Sequence, residues 1–309
     1  MLVLSGLPRG IADEWVEALA EAAPQLEVAI GPVETGAGAV EAMLTWKPPK
    51  GEISRYPNLR FITSGGAGVD GILADPDLPP DLPVVRLVDD ALTARMTAYV
   101  VHAVLQFHRG ALSYAAAQAA RTWSPGTVQS PSDTRVGILG LGALGTDAAQ
   151  KLGALGFSVG GWSRTPKEVP GVKCHHGKEG LGALLACTDV LVLLLPLTSG
   201  TRNLLDAAML SHLPEGAALV NPARGALIVE DDLLAALNSG HLSGAALDVF
   251  VSEPLPATHP FWTHLKVILT PHIASRTDPV SAAPQVFENL RRARAGEALL
   301  NRVDRDAGY

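Results

Sequence analysis

Short apolar runs recur along the chain, each cut by Gly or Pro and followed by a stretch with helical spacing. That rhythm restricts the fold more than any other feature. A strand that is apolar on both faces needs cover on both sides, and a crossover helix after each strand supplies it. The pattern therefore predicts an α/β fold built on parallel sheets. In the N-terminal third, strands are expected at 2–4, 39–44, 59–64 and 84–87, with a helix at 12–23 that turns Trp15, Ala18, Leu19 and Ala22 to one side. A second series is expected at 135–139, 157–162, 190–195, 217–221, 244–249 and 267–270, with helices at 143–152 and 282–294.

Between the two series, 93–121 contains no Pro, is rich in Ala, Val and Leu, and reads as one or two helices that break at Trp123-Ser-Pro-Gly126. A helix and loop between two α/β blocks is a plausible domain boundary. A chain of 309 residues is also near the size at which one core splits into two. The net charge of −7 implies no basic face, which argues against nucleic acid as a partner. Two Cys make neither a disulfide framework nor a four-Cys zinc site. The start, Met1 to Pro8, reads as a first strand rather than a signal peptide, and the longest apolar run, 190–197, contains Pro196 and is far short of the ~20 residues of a membrane span. A cytoplasmic protein without a membrane partner is expected. Cys174, His175 and His176 lack the spaced ligand set of a metal site and read as a strand-end loop, so no metal is expected.

Gly140-Leu141-Gly142-Ala143-Leu144-Gly145 is G-x-G-x-x-G, placed after an expected strand and opening an expected helix. The first Gly permits the tight turn, the second lets the backbone approach a pyrophosphate, and the third packs helix on strand, with the helix N-terminus facing the anion. An NAD-specific loop usually places an acid about 20 residues further on. Here that stretch reads Trp162-Ser163-Arg164-Thr165-Pro166-Lys167, with no acid. A hydroxyl, a guanidinium and an ammonium suit a 2′-phosphate, so NADP(H) is the expected cofactor, with NAD(H) possible.

Three further segments follow expected strands: Asn221-Pro222-Ala223-Arg224, Asp248 with Glu253, and Thr270-Pro-His272. In open α/β sheets the C-terminal strand edge is where ligands bind, so these polar groups are expected to converge. The set suits reduction of a 2-oxoacid. Arg224 would engage the carboxylate and ketone oxygen, His272 would protonate the alkoxide as hydride arrives, and Glu253 would fix the His tautomer and keep the imidazolium available.

With Gly65-Gly-Ala-Gly-Val-Asp70, 136–145, Trp162-Ser-Arg164, Leu195-Pro196, Arg224-Gly225, 229–237, 247–250, Glu253-Pro-Leu-Pro256, Thr270-Pro-His272 and the ending Val303-Asp-Arg305, the chain resembles the D-isomer-specific 2-hydroxyacid dehydrogenases, most closely their glyoxylate/hydroxypyruvate reductase A group. The resemblance implies two Rossmann-like domains: a flavodoxin-like, discontinuous substrate domain of 1–98 with 282–309, and a doubly wound dinucleotide-binding domain of 99–281. It implies catalytic residues Arg224, Glu253 and His272, and backbone amides of Ala67 and Gly68 on the substrate carboxylate. Asp248 would hold the nicotinamide carboxamide. Leu195, Pro196 and Thr201 would run along the adenosine side, with Pro222 and Ala223 also at the cofactor. Trp46 matches a substrate-pocket Trp, with a core aromatic at a strand end as the other reading. The Ala-rich stretch 111–120 matches a dimerisation region, implying a homodimer, with an ordinary interdomain helix as the other reading. Ser275-Arg276 departs from the family pattern, and Arg276 reads either as a site for a second substrate anion or as a solvated surface Arg. A non-catalytic dinucleotide sensor of the same fold is the competing function. Formate oxidation is disfavoured, because that relative carries Gln where Glu253 stands.

Overall fold

The apolar runs become strands, and all pairings within the two sheets are parallel. The computed structural model describes all residues, Met1–Tyr309. In chain order the elements are β1 (Leu2–Ser5), α1 (Arg9–Ala22), β2 (Val28–Ile30), β3 (Ala42–Thr45), β4 (Phe61–Ser64), α2 (Asp70–Leu73), β5 (Val84–Val85), α3 (Asp90–His108) and α4 (Ala111–Ala119). There follow β6 (Arg135–Leu139), α5 (Ala143–Ala154), β7 (Ser158–Ser163), β8 (Lys173–His176), α6 (Gly177–Leu185), β9 (Val190–Leu193), α7 (Ala207–Leu210), β10 (Ala217–Asn221), α8 (Glu230–Ser239), β11 (Leu242–Leu247), β12 (Val267–Leu269) and α9 (Pro279–Ala295).

The chain divides into one unit of 1–92 with 276–309 and a second of 93–275. The divisions fall six residues earlier than the expected 98/99 and 281/282, because all of α3 beyond its first turn belongs to the second unit and all of α9, with the residues just before it, belongs to the first.

The first unit holds a five-stranded sheet in the order β2-β1-β3-β4-β5, the flavodoxin-like order. Alternate residues of each strand feed opposite layers. Leu2, Leu4, Leu44 and Phe61 pack under Trp15 and Leu19 of α1 and Leu290 of α9. Val3, Met43 and Ile62 pack on the other face with Tyr56 and Ile72. Two details differ from the sequence reading. Ala22 is exposed and Ala12 takes its place on the buried face of α1. The short edge strand β2 was not anticipated, since three half-buried residues leave little apolar signal.

The second unit holds seven strands in the order β12-β11-β10-β9-β6-β7-β8, the doubly wound arrangement, with its switch point between β6 and β9. Leu139, Leu191, Leu193, Leu219 and Leu247 face one layer, and Val136, Ile138, Val192, Val220 and Ala246 face the other. His175 and His176 are not in a loop. They lie in the edge strand β8, paired with Trp162 and Ser163 of β7. The unit's C-terminal strand edge thus gathers the glycine loop after β6, the basic loop after β7 and the Arg224, Asp248 and His272 segments after β10, β11 and β12.

Candidate active site

Gly140 follows β6 at φ +105, and a Cβ there would lie 2.5 Å from the carbonyl oxygen of Leu194, so the turn presses against the segment leading into Leu195 and Pro196. At Gly145, a Cβ would lie 1.8 Å from the Gly140 oxygen, which is the close helix-on-strand packing that only Gly allows. Gly142 differs: its missing Cβ points into open space. The first turn of α5 carries no acid and no side-chain cap. Its first amides have no intrahelical acceptor and so remain for an anion that takes the space above Gly142. The loop therefore fits the pyrophosphate of a dinucleotide.

Among the other residues assigned to the cofactor, several side chains have structural duties. Trp162 is buried in the core layer with Leu181 and Leu184, and its Nε1 donates to Gly177 O at 2.7 Å. The Ser163 hydroxyl donates to Thr165 O at 2.8 Å. The Lys167 ammonium donates to Leu141 O at 2.7 Å, tying the basic loop to the glycine loop. Arg164 is exposed, as is Lys167. Thr201 closes its own turn, donating to Pro196 O at 2.7 Å and accepting from Thr198 N at 2.8 Å.

The catalytic candidates are held by interlocking strand ends. Asn221 stops β10, and its side chain donates to Arg224 O at 2.9 Å and accepts from Ala223 N at 3.1 Å, shaping the turn at Pro222. A Cβ on Gly225 would lie 2.0 Å from Phe250 C, so the Arg224 turn and the Glu253 loop lie against each other. His272 adopts φ +54, a left-handed conformation uncommon for a side-chain-bearing residue and typical of functional sites. Its amide donates to Asp248 O at 2.8 Å. The fully buried Asp248 carboxylate accepts from Ile273 N at 2.9 Å, Ala274 N at 2.8 Å and Thr270 Oγ1 at 2.5 Å. Its observed work is to hold the His272 turn, a role absent from the sequence reading. One acceptor position on Oδ2 remains.

His272 Nδ1 lies 2.8 Å from Glu253 Oε2, and Glu253 Oε1 accepts from Phe250 N at 2.9 Å. Burial works to raise the Glu253 pKa, but the hydrogen bonds from His272 and Phe250 and the charges of His272 and Arg224 outweigh it, holding the carboxyl below its ordinary range. Arg224, Glu253 and His272 are thus one electrostatic group.

In the first unit, Ser64 ends β4 and braces the following loop, donating to Gly68 O at 2.6 Å and accepting from Gly66 N at 3.2 Å. The Ala67 and Gly68 amides donate to no protein acceptor. The Trp46 indole covers this loop: a Cβ on Gly65 or Gly66 would lie 3.1 or 3.2 Å from its Nε1. Trp46 is 41% exposed, so it is not a core aromatic. Arg276 forms an ion pair with Glu14, which takes up the charge considered for a second substrate anion.

Residues 101–274 match the family model for the D-isomer-specific 2-hydroxyacid dehydrogenase NAD-binding domain. Over 303 residues the chain is 40% identical to glyoxylate/hydroxypyruvate reductase A of Serratia proteamaculans, covering 96% of each sequence. The chain belongs to the D-isomer-specific 2-hydroxyacid dehydrogenase family. The dehydrogenase of this family from Xanthobacter autotrophicus Py2, solved with NADPH and MES, superposes with a TM-score of 0.95 at 44% identity, covering 100% of this chain and 99% of that one. The NADPH-dependent glyoxylate/hydroxypyruvate reductase of Sinorhizobium meliloti, solved with NADP and sulfate, superposes with a TM-score of 0.92 at 38% identity, covering 100% and 99%. As a member of this dehydrogenase family the protein is an oxidoreductase acting on CH–OH groups, with two Rossmann-like domains. No helix is long and apolar enough to cross a membrane.

Proposed function

We propose that this dehydrogenase reduces small 2-oxoacids, of the glyoxylate and hydroxypyruvate kind, to D-2-hydroxyacids with NADP(H) as the preferred cofactor. The observation that carries the reading is the Glu253–His272 pair, 2.8 Å apart, with the Arg224 charge acting on the same carboxylate. The substrate class follows that of the named reductases it resembles, and the cofactor preference follows their NADPH and NADP complexes together with the stretch Arg164 to Lys167, which puts cations and no acid directly after β7.

The bound nicotinamide would supply the hydride. Gly140, Gly142, Gly145 and the intervening Leu141, Ala143 and Leu144 would hold its pyrophosphate, Arg164 its 2′-phosphate, and Leu195, Pro196, Thr201, Pro222 and Ala223 its flanks. Asp248 would offer its remaining Oδ2 position to the carboxamide. Arg224 orients the carboxylate and the ketone oxygen with donors in a fixed fork. Glu253 engages Nδ1 of His272, so Nε2 faces away and delivers the proton to the developing alkoxide. The Ala67 and Gly68 amides and the Trp46 indole are assigned to the substrate carboxylate and its neighbourhood.

A homodimer in the cytoplasm belongs to the same proposal. None of the residues of α4 is buried, and Tyr114, Trp123 and Val128 add apolar surface around it. Both Cys are free, as a reducing compartment would keep them.

The test is purified protein with NADPH or NADH and a panel of 2-oxoacids. Turnover with an NADPH/NADH efficiency ratio above one supports the proposal. Arg164→Ala is expected to bring that ratio down about tenfold, the loss of a charge-assisted contact. His272→Ala is expected to lose at least about a hundredfold in kcat while still binding NADPH. Dinucleotide binding without turnover on any substrate would favour the sensor.

A further inference from the structure

Tyr99 lies on α3, far in sequence from every segment of the site, and its side chain packs against the second unit's core layer. Its hydroxyl oxygen is 3.0 Å from Thr270 Oγ1. The directions in this chain follow from counting protons. Thr270 has one hydroxyl hydrogen, and at 2.5 Å it goes to Asp248 Oδ1, because a carboxylate only accepts. Tyr99 must therefore be the donor to Thr270. Its burial pushes the phenol pKa up to about 12, against a smaller lowering by the Thr270 hydrogen bond, so the donor keeps its proton at any working pH. Asp248, at the end of this relay, holds the backbone on both sides of His272: its carbonyl takes the His272 amide, and its carboxylate takes the amides of Ile273 and Ala274.

We infer that Tyr99 is a positioning residue for His272, acting through Thr270 and Asp248 to hold the left-handed turn that aims the imidazole. The inference rests on the proposed role of His272 as the proton donor. The relay matters because it ends on Asp248, which accepts hydrogen bonds from Thr270, His272, Ile273 and Ala274. Rotation at φ of His272 would swing the ring away from Glu253, and the three donors on Asp248 oppose that rotation. Tyr99 orients the Thr270 hydroxyl so that its hydrogen points at Asp248 and not at another acceptor. The same helix carries a second tie, Thr97 Oγ1 to Asp147 Oδ2 of α5 at 2.6 Å, which does not touch the His272 turn.

The experiment measures hydride transfer in a single turnover by stopped-flow loss of NADPH absorbance, with NADPH affinity and melting temperature measured in parallel. Tyr99→Phe is expected to slow transfer about fivefold, the worth of one neutral hydrogen bond, with NADPH affinity unchanged. Thr270→Val is expected to slow it at least as much. The double variant is expected to be no slower than Thr270→Val alone, because Tyr99 acts only through Thr270. Thr97→Val is expected to lower the melting temperature without slowing transfer. Additive losses in the double variant, or a slowing in Thr97→Val equal to that in Tyr99→Phe, would reduce Tyr99 to a general support of α3 and overturn the inference. An unchanged rate in Tyr99→Phe beside an inactive His272→Ala would also overturn it, while leaving the proton donor in place. If His272→Ala itself kept the wild-type rate, the underlying reading would fall instead.

Discussion

His272 shows how little of a site's geometry a single residue carries. Its φ of +54 disfavours any side chain by about 1–2 kcal/mol, yet the Asp248 bonds hold it there, beside Glu253. Glu253→Gln keeps the shape and removes the charge, and we expect kcat to fall roughly tenfold to a hundredfold with little change in fold. The pH dependence has a definite sign. The Glu253 pKa is lower folded than its ordinary value of 4.5, so the stabilisation it contributes is full above that value and fades as pH falls through the folded one. The melting temperature advantage of wild type over Glu253→Gln should shrink on acidification below about pH 5, as the Glu253 carboxylate is protonated. Calorimetry across that range checks it. Arg224, Glu253 and His272 were legible as residues because their chemistry is unusual at strand ends. Asp248 was legible as a polar strand-end position, and through the resemblance as a group for the nicotinamide carboxamide, but not as the anchor of the His272 turn. Its three amide and hydroxyl partners are backbone and side-chain donors from another strand end, which no spacing reveals. Trp162, Ser163 and Lys167 each give one donor to a carbonyl of a neighbouring turn, a duty that no spacing in the sequence shows.

The glycine loop separates two kinds of glycine that look alike in a motif. Gly145→Ala must place a methyl 1.8 Å from Gly140 O, and we expect it to destabilise the second unit by roughly 1–3 kcal/mol, read as a drop in melting temperature of several degrees. Gly142→Ala meets nothing in the protein, so the fold should hold while NADPH affinity, measured by fluorescence titration, falls about tenfold or more. Other elements show where periodicity runs out. α9 was expected from 282 but starts at Pro279, capped by Asp278, whose side chain accepts from Val280 N at 3.0 Å. The Asp278-Pro279 start was present in the sequence, as an N-cap followed by Pro at the first helical position. The break between α3 and α4 falls at Gly110, φ +65, where the sequence allowed either one helix or two. The edge strand β8 was hidden because His175 and His176 carry no apolar alternation; its pairing with β7 makes it a strand.

The exposed apolar surface around α4 leads to an expectation about assembly. Trp123 is 96% exposed, and a second copy is the simplest cover for it. Sedimentation velocity should find a dimer for the wild type, and Tyr114→Glu with Trp123→Glu should shift it toward monomer. A wild-type monomer at tens of micromolar would remove the dimer from the proposal. The net charge of −7 carries no information about the anionic ligands, because local groups such as Arg164, Arg224 and the α5 amides decide that. What the sequence by itself determined was the α/β class, the glycine loop, the acid-free basic stretch Arg164 to Lys167 and the identity of the three catalytic candidates. Each of these is written in local order or in unusual chemistry. What only the tertiary structure decided was which donors remain for a ligand and which hold the fold. It also decided where the two units divide, and how Tyr99, Thr270 and Asp248 come to hold one turn. Those depend on parallel strand order and on contacts between distant segments, and a hydrogen bond between residues 171 positions apart leaves no mark on the local pattern of either.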